Sequence, residues 1–401
     1  MFLRGDQLVQ RYNSSVIGKK SSVSDSSASG IFSVNNAADE KRENNWPVLE
    51  TALYPFAVGS VMPFSVSRGL SNSNVSNEHR YGPTHAQMQS WVQGTSNGGP
   101  GYSWATGYSY FYGQATGFQL WKVPVNGTYE LEAKGGSGGA TDNPIFRGRG
   151  QIAKARFALS HSDMIVVAVG QGVPDMLGDH CNGAGGGTFI TILPNSSASY
   201  PAAIPLVVAA GAAGGTSDGG GANPSTTATS RTIAASSTTG NVSYTGLCTD
   251  PVSATQVSNF AQQYGHSRQG TLDGSSGGVN TVLGGAFFGT HSNNSNKSSS
   301  MGAMWINGLA GGDRSNSTAG KGGFGGGSGG SDESGNASGG FTTGQSFDGP
   351  SCSAGGFINT GHTKYVSFTG FSLAPATTTF QATDYMSSSQ YQGYAKITRI
   401  S

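Results

Sequence analysis

Residues 126–139 read Asn-Gly-Thr-Tyr-Glu-Leu-Glu-Ala-Lys-Gly-Gly-Ser-Gly-Gly. Tyr129, Leu131 and Ala133 share one parity; Thr128, Glu130, Glu132 and Lys134 share the other. That alternation belongs to an antiparallel strand with one face buried and one face in solvent. The Asn126-Gly127 pair in front of it is the favoured two-residue hairpin turn. Behind it the chain runs straight into glycine. Further strands are expected at Phe118–Pro124, Ile152–Leu159, Met164–Val169, Thr188–Leu193, Ile204–Ala210, Tyr365–Leu373 and Tyr394–Ile400. The nearest approach to a helix is His85–Val92, after Pro83-Thr84. The fold class that follows is mainly β, an antiparallel sandwich with long insertions.

The insertions are glycine tracts lying between strands: Gly135–Gly139, Gly183–Gly187, Gly211–Gly221, Gly277–Gly289, Gly308–Gly312, Gly320–Gly330 and Gly335–Gly340. Slack glycine loops would carry a large ordering entropy into the sandwich. The alternative is order. An extended glycine segment in the polyproline-II conformation makes no internal hydrogen bonds and directs every N–H and C=O outward. Without Cβ atoms, several such segments approach closely enough to bond one another's backbones, as buried polar groups require. The Ser, Ala, Asn and Phe324 interruptions are expected on the rim of such a bundle or at its bends.

Composition narrows the function classes. Glycine supplies 65 of 401 residues and charged residues only 11%, with a net charge of +1. No basic field exists to hold a nucleic acid. Aromatics at 10% and the low net charge argue against a disordered chain. The glycines lack the strict three-residue period of collagen. No stretch reaches the roughly 18 to 20 apolar residues of a membrane span, and Met1–Lys20 has no apolar signal-peptide core. Cys181, Cys248 and Cys352 allow one internal disulfide at most.

Three regions emerge. Residues 1–48 form a polar leader, either disordered or ordered by a partner, with Ile31, Phe32 and Trp46 as candidate anchors, Trp46 alternatively tucked against the next domain. Residues 49–116 form an aromatic-rich lead-in. There Tyr108, Tyr110 and Tyr112 share one parity, and a strand would set them on one face, either as a buried β face or as a sugar-stacking platform. Residues 117–401 hold the strands and glycine tracts.

The ordered set of segments resembles a known family. Gly117–Pro124, Asn126–Tyr129 and Ala133–Gly136 resemble the opening of the glycine-rich domain in the ectodomains of anaplastic lymphoma kinase and leukocyte tyrosine kinase. Gly150–Phe157, Val166–Gly172, Asn182–Phe189, Pro205–Gly211, Lys321–Gly327 and Gly393–Ile397 continue the likeness in order, and Tyr81–Thr84 resembles an early Gly-Pro-Thr. The resemblance implies a jelly roll like that of tumour necrosis factor, with an inserted bundle of polyglycine-II helices. The receptors' span, kinase and cysteines have no counterpart here, so the fold carries over and receptor function does not. A second, looser resemblance joins Ser29–Val34 and Asn45–Pro47 to the starts of glycine-rich structural proteins of marine tailed phages.

Catalytic motifs are offered and declined. Gly135–Gly139 and Gly326–Gly330 match the nucleophile-elbow pattern, but no helix is expected after either. Lys321 lacks the following Ser or Thr of a phosphate loop. His180-Cys181 has no second ligand pair at zinc spacing. The expectation is therefore a non-enzymatic virion protein without cofactor or metal: a tail fibre or receptor-binding adhesin. It would dock to other virion proteins through residues 1–48, contact a host-surface glycan or protein, and form a homotrimer by analogy. Two alternatives stand beside it, a secreted ligand-binding module of receptor type and a capsid decoration or fibre-shaft component.

Overall fold

A computed structural model of the chain describes residues 56–65, 80–94, 101, 111–139, 148–173, 183–214, 223–237, 240–249, 287, 302–303, 305–313, 323–327, 355–375 and 391–401, together with 23–24 and 27–28. The described chain is mainly β. A minimal ladder pairs β1 (Val23–Ser24) with β2 (Ser27–Ala28). Thirteen longer-range strands build two antiparallel sheets.

The first sheet has five strands. They are β3 (Val61–Ser65), β6 (Gly127–Lys134), β7 (Gln151–Leu159), β14 (Tyr365–Leu373) and β15 (Tyr394–Arg399), in the order β14-β7-β6-β15-β3. The second has eight. They are β4 (Phe111–Ala115), β5 (Phe118–Lys122), β8 (Met164–Ala168), β9 (Thr188–Ile192), β10 (Ile204–Ala209), β11 (Ala228–Ser237), β12 (Gly240–Thr249) and β13 (Phe357–Ile358), in the order β11-β12-β13-β10-β9-β8-β5-β4. Pro63 sits in edge strand β3, where a missing N–H is tolerated.

Two burial patterns distinguish the sheets. In β6 and β7, buried and partly exposed residues alternate, because one face meets the core and the other meets solvent. In β8 and β9 every residue is buried. The reason is a core on each face of the eight-stranded sheet. One lies between the sheets and includes Trp121, Val123, Tyr129, Leu131, Phe157, Ile190, Leu206 and Ile397. The other lies on the far face and includes Phe118, Leu120, Val166, Phe189, Phe287, Trp305 and Phe324. Strand β5 divides between them by parity, Phe118 and Leu120 to one core and Trp121 to the other. On the far side Trp305 stacks on Phe287 at 4.8 Å, meets Phe118 edge-on at 4.9 Å, and donates Nε1–H to the Tyr200 carbonyl at 2.7 Å.

The helix forms as α1 (His85–Gln93), capped by Thr84 and Gln87 in a reciprocal capping box. Met88 and Val92, four residues apart on one face, bury into the inter-sheet core.

The Asn126-Gly127 hairpin does not form. Strands β5 and β6 lie in different sheets, and the chain crosses between layers over residues 123–126. Tyr129 fixes that crossing by donating its hydroxyl hydrogen to the Val125 carbonyl at 2.7 Å. Glycine is required at 127 by packing: a Cβ there would lie 2.1 Å from the Ser401 carbonyl oxygen.

Candidate functional site

Beyond the strand ends the glycine segments are not slack; they form a laterally bonded lattice. Segment 135–139 leaves β6 and 148–150 enters β7. Segment 170–173 follows β8 and 183–187 enters β9, while 210–214 leaves β10 and 391–393 enters β15. Successive N–H groups of one segment reach different neighbours. Gly135 donates to the Gln151 carbonyl (2.9 Å), Gly136 to Gly186 (2.8 Å), Ser137 to Tyr391 (2.9 Å), Gly138 to Gly148 (3.1 Å) and Gly139 to Gly183 (3.1 Å). Two of the three neighbours recur after three residues, and in both the acceptor number falls by three as the donor number rises by three. The bonded segments run antiparallel. Segment 185–187 likewise reaches three different neighbours, donating to Ala212, Gln171 and Gly325 in turn.

Side chains are excluded by backbone. A Cβ on Gly136 would lie 2.2 Å from the Gln171 oxygen, and one on Gly138 would lie 1.9 Å from the Ala213 oxygen. Among the described residues the interruptions are not on a rim. Ser137, Ala184, Ala212, Ala213 and Phe324 are all buried. Phe324 does stand at a bend, but its ring fills the far core, 6.4 Å from Phe118. Only small residues, or one whose side chain leaves the lattice for a core, fit at these positions. The serine of the Gly135–Gly139 elbow pattern is 3% exposed, with N–H and C=O both bonded into the lattice.

The far end of the lattice gathers chain connections. The hydrogen bonds Gly138–Gly148, Gly139–Gly183 and Val173–Ser137 bring residues 137–139, 148, 173 and 183 together. Gly138 also abuts Ala213 and Gly214, and Arg149 donates its N–H to the Asn223 side chain at 2.7 Å. The described residues that flank connections 140–147, 174–182 and 215–222 thus lie together.

A charged row crosses the outer face of the five-stranded sheet. Register aligns Lys154, Glu132 and Lys396 on β7, β6 and β15, with Lys134 opposite Tyr394 beside them. Lys154 Nζ lies 2.7 Å from Glu132 Oε2, and the Tyr394 hydroxyl donates to Glu132 Oε1 at 2.5 Å. Burial alone would raise the Glu132 carboxyl, but those hydrogen bonds and the Lys154 and Lys396 charges hold it below the usual range. Burial and the Glu132 bond raise the Tyr394 phenol.

Lys134 departs from the alternation. Parity sets it on the solvent face, yet it is 3% exposed, because β6 passes there from open sheet into lattice. Burial, then the nearby Lys396, lowers it from 10.5 to about 8. Folding thus disfavours its charged form, and the unfolded chain binds more protons between those values. Its contribution to stability is lowest below pH 8 and rises with pH through that window; the raised Tyr394 opposes the rise above about pH 10. Lys134→Met is expected to raise stability at pH 7 by on the order of 1 kcal/mol and to flatten the climb between pH 8 and 10. Urea midpoints across that range check it, and an unchanged pH profile would count against it.

Of the recognition residues selected from the sequence, only Tyr112 falls among the described residues. Ile31, Phe32, Trp46, Tyr108 and Tyr110 lie outside the described residues, and Tyr112 lies in β4 with its backbone opposite Leu120. His180-Cys181 also lies outside them. Among the described residues no group of three or more His, Cys, Asp or Glu is placed to hold a metal ion, and no helix is long and apolar enough to cross a membrane. No protein-family model matches the chain, and neither does any curated protein.

Proposed function

We propose that this chain is a structural and recognition protein of a phage particle, a tail fibre or receptor-binding adhesin. In this reading the two sheets are a jelly-roll sandwich and the glycine lattice is a bundle of polyglycine-II helices. The three-residue recurrence of hydrogen-bond partners supports the second assignment, since that conformation has three residues per turn. The observation that carries the function is the convergence of connections 140–147, 174–182 and 215–222 on one end of a lattice bonded through backbone. Recognition segments need a rigid support, and here the residues that flank three such connections are held together. Residues 1–48, with Ile31, Phe32 and Trp46, dock the protein to the particle.

Antibody labelling of particles made by the genome that encodes this chain tests the reading. Label at a tail or fibre tip is expected; particles without label would overturn it. Purified full-length protein should also block adsorption to the host. Labelled particles without such blocking would assign a shaft or decoration role and remove the adhesin claim.

A further inference from the structure

The lattice carries an exposed aromatic ring next to an anchored ion pair. Tyr81 is 50% exposed, although its backbone is pinned: its carbonyl accepts from Gln171 Nε2 at 3.1 Å. Gln171 is itself a lattice residue, donating its N–H to Phe324 and accepting from Gly186. The next residue, Gly82, packs so closely on Gly117 that a Cβ would come within 2.3 Å of the Gly117 Cα. The guanidinium of Arg80 lies over the Tyr81 ring, 5.4 Å from its centre, and takes part of one ring face. Arg80 is held on three sides. Nε donates to the Gly311 carbonyl at 2.9 Å, a terminal nitrogen meets Asp313 Oδ2 at 2.7 Å, and the Arg80 carbonyl accepts from Gly311 N–H at 2.7 Å. The Asp313 side chain is 36% exposed.

We propose that Tyr81, Arg80 and Asp313 form a carbohydrate site that takes a neutral hexopyranose unit of a surface polysaccharide. The chemistry matches on each count. A pyranose has an apolar face of C–H groups that stacks on an aromatic ring, and a rim of hydroxyls that both donate and accept. The Tyr81 ring offers the stacking surface. Arg80 has five N–H donors in a fixed fork, of which Gly311 and Asp313 use only part, and the Asp313 carboxylate accepts. Guanidinium and carboxylate cancel in charge, so the site favours an uncharged sugar over an acidic one. Both chain segments are fixed by backbone hydrogen bonds, so little ordering accompanies binding.

This site deepens the adhesin reading, on which its biological sense rests, but its test is independent of the particle. Full-length protein is mixed with methyl glucoside, methyl galactoside or methyl mannoside, and saturation transfer to ring protons is read by NMR. Transfer to the ring C–H protons of at least one pyranoside is expected. Tyr81→Ala should weaken that binding about tenfold, whereas Tyr81→Phe should stay within about twofold, because the stacking surface is kept. Asp313→Asn should change the ranking among the three sugars, because their hydroxyl stereochemistry differs at the acceptor. Thermal midpoints of the variants, matched to the parent, separate binding from folding. Absence of transfer from all three pyranosides, or equal binding by Tyr81→Ala, would overturn the site even if particle labelling succeeds. Unlabelled particles would leave a positive sugar result standing.

Discussion

Gly186→Ala should leave no cooperatively folded protein. The added Cβ would lie 1.7 Å from the Phe324 carbonyl oxygen and 2.5 Å from its carbon, both backbone atoms with no rotamer to yield. Moving that backbone breaks more than one contact. Phe324 O accepts from Gln171, Gly186 N–H donates to the Gln171 carbonyl, and the Gly186 carbonyl accepts from Gly136. Each buried group left unpaired costs about 1–3 kcal/mol, so the total exceeds about 4 kcal/mol, the range of the most disruptive point changes. Gly59→Ala is the matched comparison. Its φ is +87° with nothing within 4 Å of a Cβ, so only local backbone strain applies, about 1–2 kcal/mol. Urea unfolding followed by tryptophan fluorescence reports both, since Trp121 and Trp305 are buried. Equal losses for the two variants would mean that the lattice is slack.

Deletion of residues 391–401 should be as damaging, for a different reason. That segment closes both parts of the fold. Tyr391 and Gly393 bond into the lattice, to Ser137 N–H and the Gly170 carbonyl. Strand β15 then fills the gap between β6 and β3, with Ala395 and Ile397 in the inter-sheet core. Arg399 reaches the Phe56 carbonyl at 3.1 Å and the Asn126 carbonyl at 3.4 Å, tying the layer crossing to the sheet. Losing an internal strand splits the five-stranded sheet, and the cost exceeds the whole stability of a typical domain, about 5–15 kcal/mol. The truncated chain should lack near-ultraviolet circular dichroism. Ile397→Ala, which keeps the backbone, should instead remain folded and lose about 2–5 kcal/mol. A native spectrum from the truncated chain would show that β15 is dispensable.

The parts legible from sequence were those in which side-chain pattern and environment agree. Tyr129, Leu131 and Ala133 alternate because one face of β6 is buried, and Thr84 with Gln87 marks a helix start wherever it folds. Runs such as Met164–Ala168 read as strands through sheer apolarity, but nothing local told that a second core would cover them. Strands β11 and β12 were not legible. Ala228–Ser237 is mostly Ala, Ser and Thr, and its ten-residue pairing with β12 is a property of two segments together. The Asn126-Gly127 turn failed for a similar reason: its dipeptide favours a hairpin, while Tyr129 and Arg399, distant in their demands, direct the chain across layers. In the proposed sugar site, Tyr81 was visible only as part of a Gly-Pro-Thr likeness. Asp313, the partner of Arg80, is 233 positions from it, beyond any local pattern.

The lattice also has a thermal consequence. It is cohesive through amide-to-carbonyl bonds, and unfolding it would wet mainly polar backbone, which lowers the heat capacity of the open chain, whereas wetting an apolar core raises it. Apolar cohesion fades on cooling. A domain that divides its cohesion between the two should have a flatter stability curve than its size implies, and should lose less stability on cooling.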